Sequence, residues 1–296
     1  AVLTQSGVSS GNVVSAFTSG TLTATVDGSS ALSSSGSNFE LTADIVGPTI
    51  SVTSATLSAA GSNIVFDASG TTVAIALSGA TVTATGSNNI HVTGALTTGT
   101  LSVVSSTALA AGSGDAILLG GAASDVTLSM AGSTVTTGGA SLSVVGQVTG
   151  TSAVTVSSST VSTSGNSFEF HAAAAVGVVV DTTSAITSSG AANFVFTGAP
   201  TATLTVQGGS TLTAHATNIE MASATGTFAL SITGSAVLTQ SGASSGNVVS
   251  AFTSGTLTAT IDGSSALSSS GSNFELTADI VGPTISVTSA TLSAAG

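Results

Sequence analysis

An apolar residue set just ahead of a Gly/Ser/Asn cluster recurs at Leu32, Leu57, Val82, Leu109, Val135, Val161, Ile186, Leu212, Leu238 and Leu267. The spacings are 25, 25, 27, 26, 26, 25, 26, 26 and 29 residues, a period of about 26. Each marker is flanked by two apolar pairs whose members are separated by one residue. Before it come Ile50/Val52, Val73/Ile75, Val126/Leu128, Val154/Val156, Val178/Val180 and Leu204/Val206. After it come Phe39/Leu41, Ile64/Phe66, Ile90/Val92, Leu142/Val144, Phe168/Phe170, Phe194/Phe196, Ile219/Met221 and Phe274/Leu276. Alternation at period two, in residues rich in Val, Ile, Thr and Phe, predicts strands with one buried face. Helices are disfavoured, because Gly and Ser interrupt every candidate within a turn or two.

Each 26-residue turn therefore holds three short strands and three bends. Such a turn cannot bury its apolar side chains alone, whereas stacked turns bury them together and pair every strand above and below. The expected fold is all-β: a three-sided parallel β-helix, or β-solenoid, right-handed by the usual rule for parallel crossovers. Between the marker and the following pair lie Asn38, Asn63, Asn89, Asp115, Asn193, Asn218 and Asn273, with Ser141 and Ser167 in two further turns. Stacked in register, the asparagines predict an amide ladder.

A longer repeat contains the shorter one. Shifted by 235 positions, residues 1–61 match residues 236–296 with only Val8 replaced by Ala243 and Val26 by Ile261. This suggests that residues 1–235 are one nine-turn unit, about 43 Å long at about 4.8 Å per turn. Residues 236–296 then begin the next unit with no linker, and the chain is expected to be an excerpt of a longer tandem array.

Composition narrows the function. The chain has no Lys, Arg, Cys, Trp or Tyr, 12 carboxylates and a formal net charge of −12. With no cation to neutralise phosphates, nucleic acid and anionic lipid headgroups are excluded as partners. Mean hydropathy is +0.62 and 42% of residues are hydrophobic, so the chain should fold despite its low charge. The longest apolar run, Ala172 to Val180, is too short for a membrane helix of roughly 20 residues, so no membrane insertion by this segment is expected. Disulfides and Cys-ligated zinc are ruled out. Trypsin-like proteases find no cleavage site and no Asn-x-Ser/Thr sequon occurs, which suits a protein exposed outside the cell or on its surface without N-linked sugar.

The rungs "SSALSSSGSNFEL", "SATLSAAGSNIVF" and "GSTLTAHATNIEM" resemble the Ser/Thr/Gly/Ala-rich right-handed β-helices of very large bacterial surface proteins, among them autotransporter passengers and haemagglutinin-type adhesins. That resemblance implies an elongated extracellular rod. It does not imply a receptor.

Candidate chemistry is sparse. Polysaccharide lyases of β-helix fold need a basic group for the developing carboxylate anion, and none is present. The carboxylate pairs that could serve a glycosidase are Asp27 with Asp44 and Glu40 with Asp67, without an aromatic platform other than Phe. His91, His171 and His215 fall in different turns and do not suggest a metal site. No cofactor is expected. Calcium is the one metal the ligand types could suit, at Asp27, Glu40 or Asp44. On the outward side of the third strand stand Glu40, Val65, His91, Ser143, Glu169, Val195, Glu220 and Glu275, which nominates Val65 and Val195 as a lateral contact. The marker strand presents Thr56/Ser58, Thr81/Thr83, Thr134/Thr136, Thr160/Ser162 and Thr211/Thr213, interrupted at Ala31, Ala108 and Ala185. Such Thr-x-Thr columns resemble the ice-binding face of antifreeze proteins. The leading expectation is a non-catalytic structural repeat of a fibre, sheath or surface protein. Its partners would be copies of itself, joined end to end and laterally, with association strengthened by acid, salt or divalent cations. The alternatives are an adhesin stalk and an ice-binding solenoid.

Overall fold

The computed structural model describes residues 2–5, 12–15, 21–42, 47–67, 69, 71–171, 173–198, 201–222, 225–242, 246–250, 254–276 and 280–295. The protein is an all-β parallel solenoid whose three walls are sheets of 12, 11 and 11 strands. Each turn runs through wall A, for example Ala31–Ser34, then wall B, Phe39–Leu41, then wall C, Thr49–Thr53. Every strand pairs in parallel with its counterparts one turn below and above.

The pairing register follows the apolar markers. On wall A, Leu32, Leu57, Val82, Leu109, Val135, Val161, Ile186, Leu212, Leu238 and Leu267 form one column. On wall B the column is Phe39, Ile64, Ile90, Ile117, Leu142, Phe168, Phe194, Ile219, Val248 and Phe274. These side chains and their wall C counterparts merge into one continuous core along the axis. Phe168 stacks on Phe194 at 5.1 Å and Phe170 on Phe196 at 5.4 Å, each pair within about 10° of parallel. Parallel pairing puts identical side chains one turn apart, close to the spacing that offset aromatic stacking favours.

Wall C corrects one detail of the sequence reading. Ile50 lies opposite Ile75 and Val52 opposite Leu77, so Val73 is an additional inward residue rather than the partner of Ile50. The strands of wall C lengthen from Thr49–Thr53 to Thr71–Ser78 and Val148–Ser157. A longer alternating strand offers two equally good apolar pairs, and counting back from the marker can land on either.

Corners between walls C and A turn on residues with positive φ. Some use one, such as Ser54, Gly79, Gly132 or Ser158; others use two, such as Gly28/Ser29, Ser105/Ser106, Thr182/Thr183 and Gly208/Gly209. The added residue lengthens the corner without disturbing the register of either wall.

Pairing runs on through residues 235 and 236. Thr211–Ala214 pairs with Val237–Gln240, Ile219 with Val248, and Leu230 with Ala259. Val237–Gln240 in turn pairs with Ala266–Ser269, as Val2–Gln5 pairs with Ala31–Ser34. No helix among the described residues is long and apolar enough to cross a membrane.

Candidate functional site

The most ordered polar feature lies inside the A–B corner. Asn12 Nδ2 donates to Asn38 Oδ1 at 2.6 Å, Asn38 to Asn63 at 2.6 Å and Asn63 to Asn89 at 2.8 Å. The column resumes with Asn193 donating to Asn218, Asn218 to Asn247 and Asn247 to Asn273, at 2.6 to 2.8 Å. The second amide hydrogen goes to a wall A carbonyl in the next turn: Ser58 O from Asn38, Thr83 O from Asn63, Thr213 O from Asn193. Each internal amide is therefore satisfied on both sides, as burial requires. The sequence alone did not place Asn12 and Asn247 in this column. They stand nine residues past Leu3 and Leu238, whereas Asn38 stands six past Leu32, because their corner is longer.

Three turns break the ladder. Its position is taken by Ala116, Ser141 and Ser167, and Asp115, expected in the column, lies one residue outside it, since Ile90 pairs with Ile117. Ser167 Oγ reaches Asn193 Oδ1 at 3.1 Å, while Ser141 Oγ is buried without a partner. Around the break, backbone amides are taken up by the outer position instead. Asn88 Oδ1 accepts from Asp115 N, Asp115 Oδ1 from Ala140 N and Asn166 Oδ1 from Ala192 N, at 2.7 to 2.8 Å. A second polar column, of hydroxyls, fills the C–A corner. Thr107 donates to Val104 O at 2.6 Å, Ser133 to Val103 O at 2.9 Å and Ser184 to Asp181 O at 2.6 Å.

The densest outward polar group is on wall B. Glu169 Oε2 accepts from Ser143 Oγ at 3.0 Å and lies 3.2 Å from His171 Nε2, and its Oε1 accepts from Asn166 Nδ2 at 2.7 Å. His171 Nδ1 is 2.9 Å from Thr197 Oγ1. Glutamate stands between serine and histidine, so the hydroxyl is bonded to a carboxylate rather than to a ring nitrogen that could take its proton. Ser143 is also only 2% exposed. The arrangement is a cross-turn clamp, not a nucleophile with its base. Beside it, an open groove of about 550 Å³ is lined by Gln147, Val148, Thr149, His171, Ala173 and Gly198, among others. Its single titratable group is already engaged by Glu169 and Thr197. Nearby, burial raises the pKa of Asp115 above its ordinary 3.8; the Ala140 amide lowers it, Glu169 raises it and His91 lowers it, each to a smaller degree.

Of the other carboxylates, Asp27 is remote from Glu40, whereas Glu40 and Asp67 share the outward face of wall B one turn apart, Asp67 standing two residues past Val65, the partner of Glu40. Asp27 is exposed at the C–A corner and Glu40 stands mid-strand on wall B, a different side of the solenoid. Asp44 lies outside the described residues. Asp67 accepts from Thr93 Oγ1 at 2.7 Å. His91 is on wall B, His171 just past a wall B strand, and His215 is exposed at an A–B corner. No group of three or more His, Asp and Glu that could hold a metal occurs among the described residues.

The two residues expected to form a lateral contact, Val65 and Val195, differ in exposure. Val65 is half-buried and Val195 is 5% exposed. Val195 pairs between Glu169 and Glu220, whose longer side chains on the same outward face shelter a β-branched residue. Wall A is the contrasting surface. Its twelve strands pair without a bulge or shift of register, and its outward residues from Ala31 to Ser293 are Thr, Ser, Ala and one Val. No protein-family model, curated protein or solved structure matches the chain.

Proposed function

We propose that the chain is a non-catalytic structural repeat of an extracellular fibre, sheath or giant surface protein, in which successive 235-residue units continue one self-associating solenoid. The observation that carries this reading is the unbroken parallel pairing across residues 235 and 236, with the core running through it. A solenoid gains nearest-neighbour stability with every added turn, so length itself is what such a sequence can supply. The resemblance of its rungs to bacterial surface β-helices supports an extracellular setting, including that of a stalk holding a distal binding domain. Electron microscopy of chains with one, two and three units tests the reading. Rod length should grow by about 43 Å per unit at constant width. Compact particles, or a length indifferent to unit number, would end it.

A second reading is favoured by the bulge-free register of wall A, whose Thr81/Thr83, Thr134/Thr136 and Thr211/Thr213 rungs form a regular hydroxyl and methyl array. If this face binds ice, the chain shows thermal hysteresis that Thr134→Lys and Thr136→Lys abolish. Absence of hysteresis removes that reading.

A further inference from the structure

The pairing register puts the alanines that interrupt the Thr-x-Thr rungs of wall A on one line and shows their order. Its first outward column from the second strand onward reads Ala31, Thr56, Thr81, Ala108, Thr134, Thr160, Ala185, Thr211, Val237, Ala266 and Thr291. Alanine falls at every third rung without exception, each time with two larger residues between. The four alanines are half-buried, as is the larger Val237, and the intervening Thr56, Thr81, Thr134, Thr160 and Thr211 are exposed, so this column is a ridge with an alanine notch about every 14 Å. Nine turns per unit is a multiple of three. The notches therefore keep their phase into the second unit, where Ala266 occupies the position that continues the series.

Charge is kept off the same face. Every described carboxylate lies on wall B, within or at the end of a wall C strand, or at a corner, and none is on a wall A strand. The acidic groups nearest wall A are Asp27, Asp181 and Asp262, all along its rim with wall C. The opposite rim carries the half-buried Asp115 and the exposed His215.

We propose that wall A is a lateral interface between two copies of this chain, running parallel, with the threonine ridges of one seated against the alanine notches of the other. This rests on the structural reading above and names the surface through which it associates. Three features select a second copy as occupant. A partner that must match a notch every third rung over the whole length needs the same axial repeat, which this chain itself has. In a molecule of net charge −12 with no Lys or Arg, a like partner can approach closely only through an uncharged face. A parallel face-to-face pair also sets the rim of one copy with Asp27, Asp181 and Asp262 over the other copy's rim, where His215 is exposed and Asp115 half-buried. The area suffices as well: twelve four-residue strands span about 53 by 13 Å, so pairing buries about 1,400 Å² in total, within the range of stable interfaces.

The test is sedimentation equilibrium of the full chain at neutral pH, with circular dichroism to confirm folding of each variant. Self-association should be measurable, with Kd below about 1 mM. Thr134→Glu with Thr160→Glu should weaken it at least tenfold, whereas Thr127→Glu with Thr203→Glu, the same charge on exposed wall C positions, should leave it within about twofold. Filling the notches with Ala108→Leu and Ala185→Leu should also weaken it about tenfold, although the face becomes more apolar. Tighter association on notch filling would mean nonspecific hydrophobic contact and would overturn the proposal. So would equal loss from the wall C variant, or a monomeric chain at all concentrations. Thermal hysteresis from a monomeric chain, lost in the wall A variant, would assign the face to ice. A monomer whose multi-unit rods still lengthen with unit number would sink only this interface and leave the structural reading standing.

Discussion

Asn63 accepts from Asn38 and donates to both Asn89 and Thr83 O, so one side chain closes three hydrogen bonds in the dry A–B corner. Asn63→Leu, of similar volume, strands a donor on one side and acceptors on the other. Destabilisation of about 2–5 kcal/mol is expected in urea unfolding, since each orphaned buried group costs about 1–3 kcal/mol. Asp115 is the opposite case, a charged residue doing the work that Asn88 and Asn166 do as neutral amides. Its raised pKa means that the folded state keeps the proton to higher pH than the unfolded chain does. Stability therefore falls as pH rises from about 3.8 through the raised value. Asp115→Asn keeps the acceptor for Ala140 N and removes the charge. It should raise stability at pH 7 by a few tenths to about 1 kcal/mol, with the gain disappearing at pH 3. A gain that persists at pH 3 would mean that charge is not the cause.

At the scale of elements, walls of strands are joined by corners whose close approaches set the composition. Gly121 and Gly146 follow one another at the B–C corner, one turn apart. A Cβ added to Gly146 would lie 1.9 Å from Gly121 O, and one added to Gly121 would lie 2.0 Å from Gly94 O. Neither contact can relax through a flexible side chain, because backbone meets backbone and the adjoining strands are pinned by ladder bonds. Gly121→Ala should cost about 1–3 kcal/mol by this overpacking, measured by thermal or urea denaturation. Ala substitution at Gly132, where nothing lies within 4 Å, should cost less through space and act only through its positive φ. Equal losses at the two sites would show that corner packing is not what fixes the glycine.

At the scale of the molecule, the one acidic–basic side-chain contact among the described residues is His171 Nε2 with Glu169 Oε2 at 3.2 Å, and the twelve carboxylates meet no Lys or Arg. Folding gathers those carboxylates onto a short rod without compensating cations, so their repulsion opposes the folded state wherever they are ionised. Added salt at pH 7, which screens that repulsion, should raise Tm. A rise of at least about 2 °C is expected, equivalent to roughly 1 kcal/mol for a domain of this size. Scanning calorimetry across a salt series at pH 7 checks it. A Tm that falls on adding salt would place the dominant electrostatics in favourable contacts rather than in repulsion.

The spacing of apolar residues determined the architecture, because period-two alternation repeated every 26 residues leaves only a stacked arrangement able to bury both members of each pair. Leu32 through Leu267 were legible for that reason, as were Phe39, Ile64, Ile90, Leu142, Phe168, Phe194, Ile219 and Phe274 and the six ladder asparagines that stand six or seven residues past their markers, whereas Ile117 and Val248 on wall B were not. Whatever depended on corner length was not legible, since a corner can gain residues without moving either wall. That is why Asn12 and Asn247 escaped notice, and why Asp115 looked like a ladder member when Ala116 holds the place. Exposure was hidden as well: Val195 is on an outward position by alternation, yet neighbours on adjacent turns, remote in sequence, cover it. Ala31, Ala108 and Ala185 were legible as interruptions of the Thr-x-Thr rungs one residue before their markers, and the register adds Ala266 and puts all four on one line at every third rung. Sequence records separation along the chain, and a solenoid with corners of unequal length converts that separation into height only through its tertiary pairing.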